Sequence, residues 1–282
     1  MNKIKKITKT VKVGNIGIGN GNPFLLIAGP CVIESRKSCI EIAARLKDLC
    51  QKVDVPLIFK TSFDKANRSS VDSYRGPGIE KGLDVLSEIK DKLKLPVLSD
   101  VHRISEVDNA SKVLDVIQAP AFLCRQTDLL QEIAKKGKPI NIKKGQFLAP
   151  WDTKNIIEKI EHKGNKKILL TERGTSFGYN NLVVDFRGIA IMRRFGYPVG
   201  FDATHSVQLP GGAGKSSSGE REFVMPLTRS ALAFGCDFIY MEVHKNPKKA
   251  LCDGPNMVDL KELERILKIG KRIDKLIKEE GY

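Results

Sequence analysis

The sequence lacks any apolar run long enough to cross a bilayer. The run at residues 24–28 is the longest near the start, and a membrane helix needs about 20 such residues. The N-terminus is basic, but no extended apolar stretch or cleavage-like site follows it, so we predict no secretory signal. The six cysteines show no paired spacing. We therefore expect reduced thiols in a cytoplasmic protein without a membrane partner.

Aromatic residues are also scarce, at 6% of the chain, although the formal net charge is +15. Nucleic-acid-binding proteins commonly combine basic patches with aromatic side chains on which bases stack. Here no dense basic run is interleaved with aromatics, and many lysines fall in pairs near the ends of predicted elements. The charge is consistent with anionic small-molecule substrates, and we predict no nucleic-acid partner. Nucleic-acid binding is kept as a remote alternative.

Short apolar runs alternate with longer amphipathic segments along all 282 residues. Strands are predicted at 24–28, 57–61, 97–100, 116–118, 140–143, 168–171, 199–202 and 238–242. Helices are predicted at 35–51, 79–93, 105–114, 127–136, 152–161, 185–195, 220–234 and 260–278. This α/β pattern predicts a single (β/α)₈ TIM-barrel domain over residues 1–282. Residues 1–20 hold an alternating stretch that predicts an N-terminal β-hairpin against the barrel.

A doubly wound open sheet is the competing architecture. Polar residues stand at or just after all eight predicted strands, as shown by Cys31, Lys60, Asp100, Gln118, Lys143, Glu172, Asp202 and Glu242. In a barrel these residues converge on one face, where catalysis occurs in this fold. In an open sheet they would spread along an edge, so the barrel is favoured.

The segment 64–70, DKANRSS, is the most informative part of the chain. Arg68 offers a forked donor to phosphate oxygens, and Ser69 adds hydroxyl and backbone donors. Asn67 can donate to and accept from sugar hydroxyls, while Lys65 is a point charge for a carbonyl or carboxylate. This mixture predicts a site for a phosphorylated sugar.

Six cations are expected to face one cavity: Lys60, Lys65, Arg68, Arg125, Lys143 and Arg173. Asp100, Glu172 and Asp202 offset part of their charge, and the remainder predicts a ligand with several negative groups. Residues 211–216 resemble a phosphate loop, but the glycine required earlier in that motif is replaced by Leu209. We interpret 211–219 as a lid loop instead.

A metal site is a further candidate. Cys31, His205, Glu242 and Asp253 follow strands one, seven and eight, and the first and last strands are neighbours in a closed barrel. Thiolate, imidazole and carboxylate ligands suit one divalent ion of Zn, Fe, Mn or Co. Spacing alone leaves Cys252 and His244 as rival ligands.

Seven motifs of the chain closely resemble the 3-deoxy-D-manno-octulosonate 8-phosphate synthases. They are AGPCVIES (28–35), KTSFDKANRSS (60–70), YRGPG (74–78), SDVH (99–102), QAPAFLCRQTD (118–128), NIKKGQF (141–147) and FDATH (201–205). The resemblance implies an aldol-like condensation of phosphoenolpyruvate with arabinose 5-phosphate and water, for lipopolysaccharide (Kdo) biosynthesis. It also implies a homotetramer in which Arg125 reaches into a neighbouring subunit's site.

The resemblance assigns roles to individual residues. For phosphoenolpyruvate it implies Lys60, Lys65, Gln118, Ala121, Lys143 and Arg173. For arabinose 5-phosphate it implies Asn67, Arg68, Ser69, Asp100 and Arg125. Lys65, Asp202, His205 and Glu242 are the implied catalytic residues. Cys31 indicates the metal-dependent class, with His205, Glu242 and Asp253 as the other ligands.

The nearest alternative is a 3-deoxy-D-arabino-heptulosonate 7-phosphate synthase, which condenses phosphoenolpyruvate with erythrose 4-phosphate. That relative usually carries Pro-Arg-Thr where this chain has Asn67-Arg68-Ser69, so the first resemblance is favoured.

Overall fold

A closed barrel of eight parallel strands forms the centre of the molecule. The computed structural model describes residues 8–212 and 218–280. Its strands are β1 (Val11–Val13), β2 (Ile16–Ile18), β3 (Leu25–Gly29), β4 (Leu57–Lys60), β5 (Val97–Asp100), β6 (Val116–Ala119), β7 (Ile140–Lys143), β8 (Ile168–Glu172), β9 (Thr175–Ser176), β10 (Leu182–Val183), β11 (Val199–Asp202), β12 (Gln208–Leu209), β13 (Ser218–Gly219) and β14 (Phe238–Glu242). The barrel order is β3-β4-β5-β6-β7-β8-β11-β14, and β14 closes against β3. The predicted TIM barrel is confirmed, and each barrel strand ends within one residue of its predicted bounds.

The helices follow the barrel strands in the predicted order. They are α1 (Arg36–Val53), α2 (Ile79–Leu93), α3 (Ile104–Val113), α4 (Thr127–Lys135), α5 (Thr153–Glu161), α6 (Arg187–Arg193), α7 (Val224–Ala233) and α8 (Leu260–Glu279). The largest error concerns α7, which we predicted to begin at Glu220. Residues Arg221–Phe223 form a separate 3₁₀ turn. Proline is tolerated in the first helical turn but not in the interior, so Pro226 is compatible with a start at Val224.

The N-terminal hairpin covers the bottom of the barrel. β1 pairs with β2, and Val11, Val13 and Ile18 share one buried cluster with barrel-interior side chains such as Leu169 and Phe238. Residues 1–7 of the predicted hairpin region, and 213–217 of the predicted lid loop, lie outside the described residues. Among the helices of the described part, none combines the length and apolarity that a membrane crossing needs.

The strand that carries the first site residue approaches its neighbour very closely. A Cβ on Gly29, the last residue of β3, would stand 1.9 Å from the carbonyl oxygen of Lys60 at the end of β4. Only glycine permits this approach. The chain turns directly afterwards into Cys31, so this contact places the Cys31 loop beside the Lys60 side of the barrel mouth.

Candidate active site

One cavity of about 620 Å³ opens at the carboxyl ends of the barrel strands. Most of the predicted site residues line it: Lys60, Lys65, Asn67, Arg68, Ser69, Asp100, Gln118, Ala121, Lys143, Arg173, His205 and Asp253. Cys31, Asp202 and Glu242 are buried and contact these lining residues. Arg125 is exposed and is absent from the lining of this single chain. Convergence on one mouth is the placement that the barrel predicted for polar strand ends.

Glu242 is the carboxylate shared by two of the cations. Its Oε1 lies 3.5 Å from the Nζ of Lys60 and 3.5 Å from the Nζ of Lys65. Burial raises the pKa of Glu242, but the charges of Lys65, His205 and Lys60 lower it by more. The net shift is therefore downward, and the carboxylate is ionised. Its Oε2 is buried without a hydrogen-bond partner among the described residues. A buried, unpartnered carboxylate oxygen is a ready position for a cation or a donor from a ligand.

Buried Lys143 and Asp202 form a second group with the partly buried His205. Lys143 donates to Asp202 Oδ2, which also lies 2.8 Å from His205 Nδ1. This contact leaves His205 Nε2 facing Glu242 Oε1 at 3.7 Å and Asp253 Oδ2 at 4.0 Å. Burial lowers the pKa of Lys143 to about 8, although Asp202 acts in the opposite direction. The Lys143 amine is therefore easier to deprotonate than an ordinary lysine.

Among the described residues, the guanidinium of Arg173 has only neutral hydrogen-bond acceptors. It donates to Gln146 Oε1 at 3.1 Å, Gln208 Oε1 at 3.2 Å and the carbonyl of His205 at 3.3 Å. Its Nε is buried and has no partner among the described residues. Burial lowers the pKa of Arg173, with opposition from Asp202 and other carboxylates. A buried guanidinium held this way has its charge available to an anion.

The loop that carries Arg68 is closed by contacts between its first residues and Arg75. Arg75 pairs with Asp64 through two contacts of 2.9 and 2.6 Å, and the Lys65 amide donates to the Arg75 carbonyl at 2.7 Å. Arg68 Nη1 donates to Cys252 Sγ at 2.8 Å. Its Nε is buried and has no partner in the described part of the chain. Arg68 and Arg173 thus reach the cavity from different loops and share no hydrogen-bond partner.

Two overlapping groups of candidate metal ligands meet at Asp253. One is Cys31, Cys252 and Asp253, and the other is His205, Glu242 and Asp253; within each group the ligand atoms lie within 4.8 Å of one another. Asp253 adopts a left-handed backbone (φ 48°), and its Oδ2 stands 3.2 Å from Cys31 Sγ. The unpartnered Glu242 Oε2 and this mixed sulfur, nitrogen and oxygen set fit a divalent transition metal.

The structure separates the two rival ligands that spacing left open. Cys252 belongs to the cluster, with its sulfur 3.3 Å from Asp253 Oδ2. His244 belongs to neither group, because its ring contacts the Asn246 carbonyl at 2.7 Å and faces Glu34 at 3.5 Å.

Gln208 is a site residue that the sequence reasoning missed. It accepts from Arg173 and donates to Asp253 Oδ1 at 3.0 Å, so it joins the guanidinium to the candidate metal ligands. Gln146 received no role in the sequence analysis either, yet it also holds Arg173. Gln146 lies within the NIKKGQF motif (141–147), whereas Gln208 lies in none of the seven motifs. A signal for Gln146 was its position three residues beyond β7; Gln208 lies six residues beyond β11 and offers none.

Comparisons with known proteins identify relatives over nearly the whole chain. A model of the DAHP synthetase I family matches residues 4–279. A 2-dehydro-3-deoxyphosphooctonate aldolase of Trichlorobacter lovleyi is 56% identical over 272 residues, which cover 96% of this chain and 100% of the relative. Proteins of the same name from Geotalea uraniireducens and Fusobacterium nucleatum are each 58% identical, and the matches cover 96% and 95% of this chain and 100% and 96% of the relatives.

Proposed function

The chain belongs to the DAHP synthetase I family, and we propose that it condenses phosphoenolpyruvate with D-arabinose 5-phosphate and water. The products are 3-deoxy-D-manno-octulosonate 8-phosphate and inorganic phosphate, which makes the enzyme a transferase of Kdo biosynthesis. The relatives named 2-dehydro-3-deoxyphosphooctonate aldolase support this choice over the erythrose 4-phosphate alternative. The observation that carries the proposal is the single cavity with two separately held arginines, one for each phosphorylated reactant.

We assign the deeper group of cations to phosphoenolpyruvate. Arg173 and Lys143 would hold its phosphate, with Gln118 and Ala121 alongside. Lys60 and Lys65 would face its carboxylate and reacting carbons, where both amines already flank Glu242. The neutral acceptors around Arg173 support this assignment, because they orient the guanidinium without cancelling its charge.

We assign the 64–70 segment to arabinose 5-phosphate. Arg68 and Ser69 would take its phosphate, and Asn67 and Asp100 its hydroxyls. The exposed position of Arg125 is compatible with a role in the site of a neighbouring subunit, and we include a homotetramer in the proposal. We also place the enzyme in the cytoplasm, with no membrane or nucleic-acid partner.

The proposed reaction forms one carbon–carbon bond and one carbon–oxygen bond to water, and it breaks the carbon–oxygen bond to phosphate. C3 of phosphoenolpyruvate attacks the aldehyde carbon, water adds at C2 as positive charge develops there, and the resulting hemiketal phosphate loses phosphate by C–O cleavage. Asp202 accepts from both Lys143 and His205, so this network can hold or pass a proton beside the reactants. Lys65 would stabilise negative charge next to Glu242.

A divalent ion of Zn, Fe, Mn or Co would be held by Cys31, His205, Glu242 and Asp253. When bound, such an ion supplies Lewis-acid polarisation or orientation of an oxygen ligand. The surrounding chain contributes the rest: it binds both dianions in place despite their mutual repulsion, which is mainly a positioning and electrostatic effect.

Phosphate release from phosphoenolpyruvate tests the proposal. The purified protein should release phosphate only when arabinose 5-phosphate is present, and mass spectrometry should find the eight-carbon product. Faster release with erythrose 4-phosphate would favour the seven-carbon synthase instead. The assignment would be refuted if a preparation that is folded by circular dichroism released no phosphate in the presence of either sugar phosphate.

A further inference from the structure

The sulfur atoms of Cys31 and Cys252 lie 2.8 Å apart, although 221 positions separate the two residues in the chain. We propose that these two cysteines form a reversible disulfide, which makes the candidate active site responsive to oxidation. A disulfide bond has a length of about 2.05 Å. The sulfurs therefore need to approach by less than about 1 Å, which is within the reach of small side-chain rotations.

The two cysteine segments are held together independently of the sulfurs. The amide of Leu251 donates to Glu34 Oε1 at 2.8 Å, which joins the loop before Cys252 to the loop after Cys31. The parent strands are also neighbours, since Glu242 of β14 pairs with Gly29 of β3. The pair is thus preorganised by the fold, and a cross-link would not have to draw distant segments together.

A small oxidant can reach this pair through the active-site cavity. Cys252 lines that cavity, and Cys31 lies directly beneath it. All six cysteines are buried, and four of them are also absent from the cavity lining: Cys39, Cys50, Cys124 and Cys236. A peroxide that enters the cavity can therefore contact Cys252, whose sulfur in turn contacts that of Cys31.

Hydrogen peroxide is the oxidant that balances the reaction. One thiol sulfur attacks a peroxide oxygen and the O–O bond breaks. The products are a sulfenic acid on that cysteine and one molecule of water. The second sulfur then displaces the hydroxyl of that sulfenic acid, and the S–S bond forms with release of a second water. The two thiols lose two hydrogens and two electrons, and the peroxide gains them. A dithiol reductant reverses the change.

The consequence for the site rests on the proposed function. Oxidation would remove the Cys31 sulfur from the proposed ligand set and would change the sulfur that accepts from Arg68. The disulfide itself rests only on the contact of the two sulfurs. We therefore expect oxidised protein to lose bound metal and phosphate-release activity together, and to recover both after reduction and addition of a divalent ion.

Thiol counting with peptide mapping tests the proposal. The full-length protein is treated with hydrogen peroxide, quenched, denatured and alkylated. Of the six cysteines, we expect about four to react after oxidation and all of them after dithiothreitol. The map should contain one peptide pair joined through Cys31 and Cys252. Retention of every free thiol, or oxidation of Cys31 to a sulfinic acid without a cross-linked pair, would overturn the proposal.

Two serine variants provide the matched control. Cys236→Ser removes a buried cysteine outside the cavity and should still form the 31–252 pair, whereas Cys252→Ser should form none. If Cys252→Ser lost two thiols on oxidation, Cys31 would have another partner and the proposal would be wrong. Should a variant fail to fold, the wild-type peptide map decides alone. A cross-link in a protein that never releases phosphate would refute the proposed function while supporting the thiol pair.

Discussion

Replacing Arg173 with lysine tests the proposed division of the cavity. The guanidinium of Arg173 is buried and donates to Gln146, Gln208 and the His205 carbonyl. Lysine keeps the positive charge but presents a point charge on a different stem, without the planar fork that matches phosphate. The variant therefore separates the geometry of the contact from the charge of the cavity.

The structure allows the expected loss to be estimated. A hydrogen bond to a charged group contributes about 1.5–3 kcal/mol. If Arg173→Lys loses one such bond to the phosphate, binding of phosphoenolpyruvate should weaken about 10- to 150-fold, because about 1.4 kcal/mol corresponds to a factor of ten. The unpaired glutamine oxygens should also lower the free energy of unfolding, by about 1–3 kcal/mol for each buried acceptor.

Initial-rate kinetics with each substrate varied separately would measure the effect. The KM for phosphoenolpyruvate should rise at least about tenfold, while that for arabinose 5-phosphate should change less than about threefold. Arg68→Lys is the matched control, because it changes the other arginine and should give the opposite pattern. Equal losses for both substrates in either variant would mean that the two phosphates have been assigned to the wrong arginines. Circular dichroism at the assay temperature confirms that each variant is folded.

Three other changes have defined outcomes. Chelation should abolish turnover and added divalent ion should restore it; full activity of a preparation shown to be metal-free would contradict the metal assignment. Burial lowers the pKa of His102, but its contact with Asp100 raises that pKa by more, so the net shift is upward. The stabilising contact is therefore complete below the unfolded pKa of about 6.5 and is lost as the pH rises through the folded value. Urea unfolding should show the gap between wild type and His102→Gln shrinking from about pH 6 to about pH 9; a constant gap would exclude the ion pair. Asp259→Ala should cost about 1 kcal/mol in the same assay, because Asp259 caps α8 through two amides at 2.9 and 2.8 Å, and no loss would exclude that cap.

The barrel was predictable because its signals are local. Each strand is a short apolar run, and the polar residue at its end marks the point where the chain leaves the barrel for the mouth. The strand ends at Lys60, Asp100, Lys143 and Asp202 were read this way, and all four residues contact or line the cavity. Pro226 was also readable, since it argued for a later start of α7 than the one we predicted.

The remaining site contacts join loops that are distant in the chain. Gln208 meets Arg173 across 35 positions, and Cys31 meets Cys252 across 221. No periodicity or spacing rule relates such pairs, because their distance is set by how eight separate strands close on one another. Spacing left both Cys252 and His244 open as rival ligands for the same reason, because their positions depend on which way the chain turns after β14. The predicted role of Arg125 differs from these contacts, because a role in a neighbouring subunit's site requires an assembly of several chains.

The charges of the cavity support the proposal that two anionic reactants bind there. Six cations line it in the described part of the chain: Lys60, Lys65, Arg68, Arg103, Lys143 and Arg173. Four carboxylates oppose them, since Asp100 and Asp253 line the cavity while Asp202 and Glu242 lie beneath. The carboxylates are not spread evenly among the cations. Glu242 forms ion pairs with Lys60 and Lys65, and Asp202 forms one with Lys143. In the described part of the chain, the hydrogen bonds that hold Arg173 and Arg68 end on oxygens of amides and carbonyls and on one sulfur, and none of them ends on a carboxylate. Two reactants that each carry a phosphate would supply the missing negative charge at these two positions. The same attraction would hold the reactants near each other against their own repulsion, so that binding offsets part of the cost of bringing C3 to the aldehyde carbon.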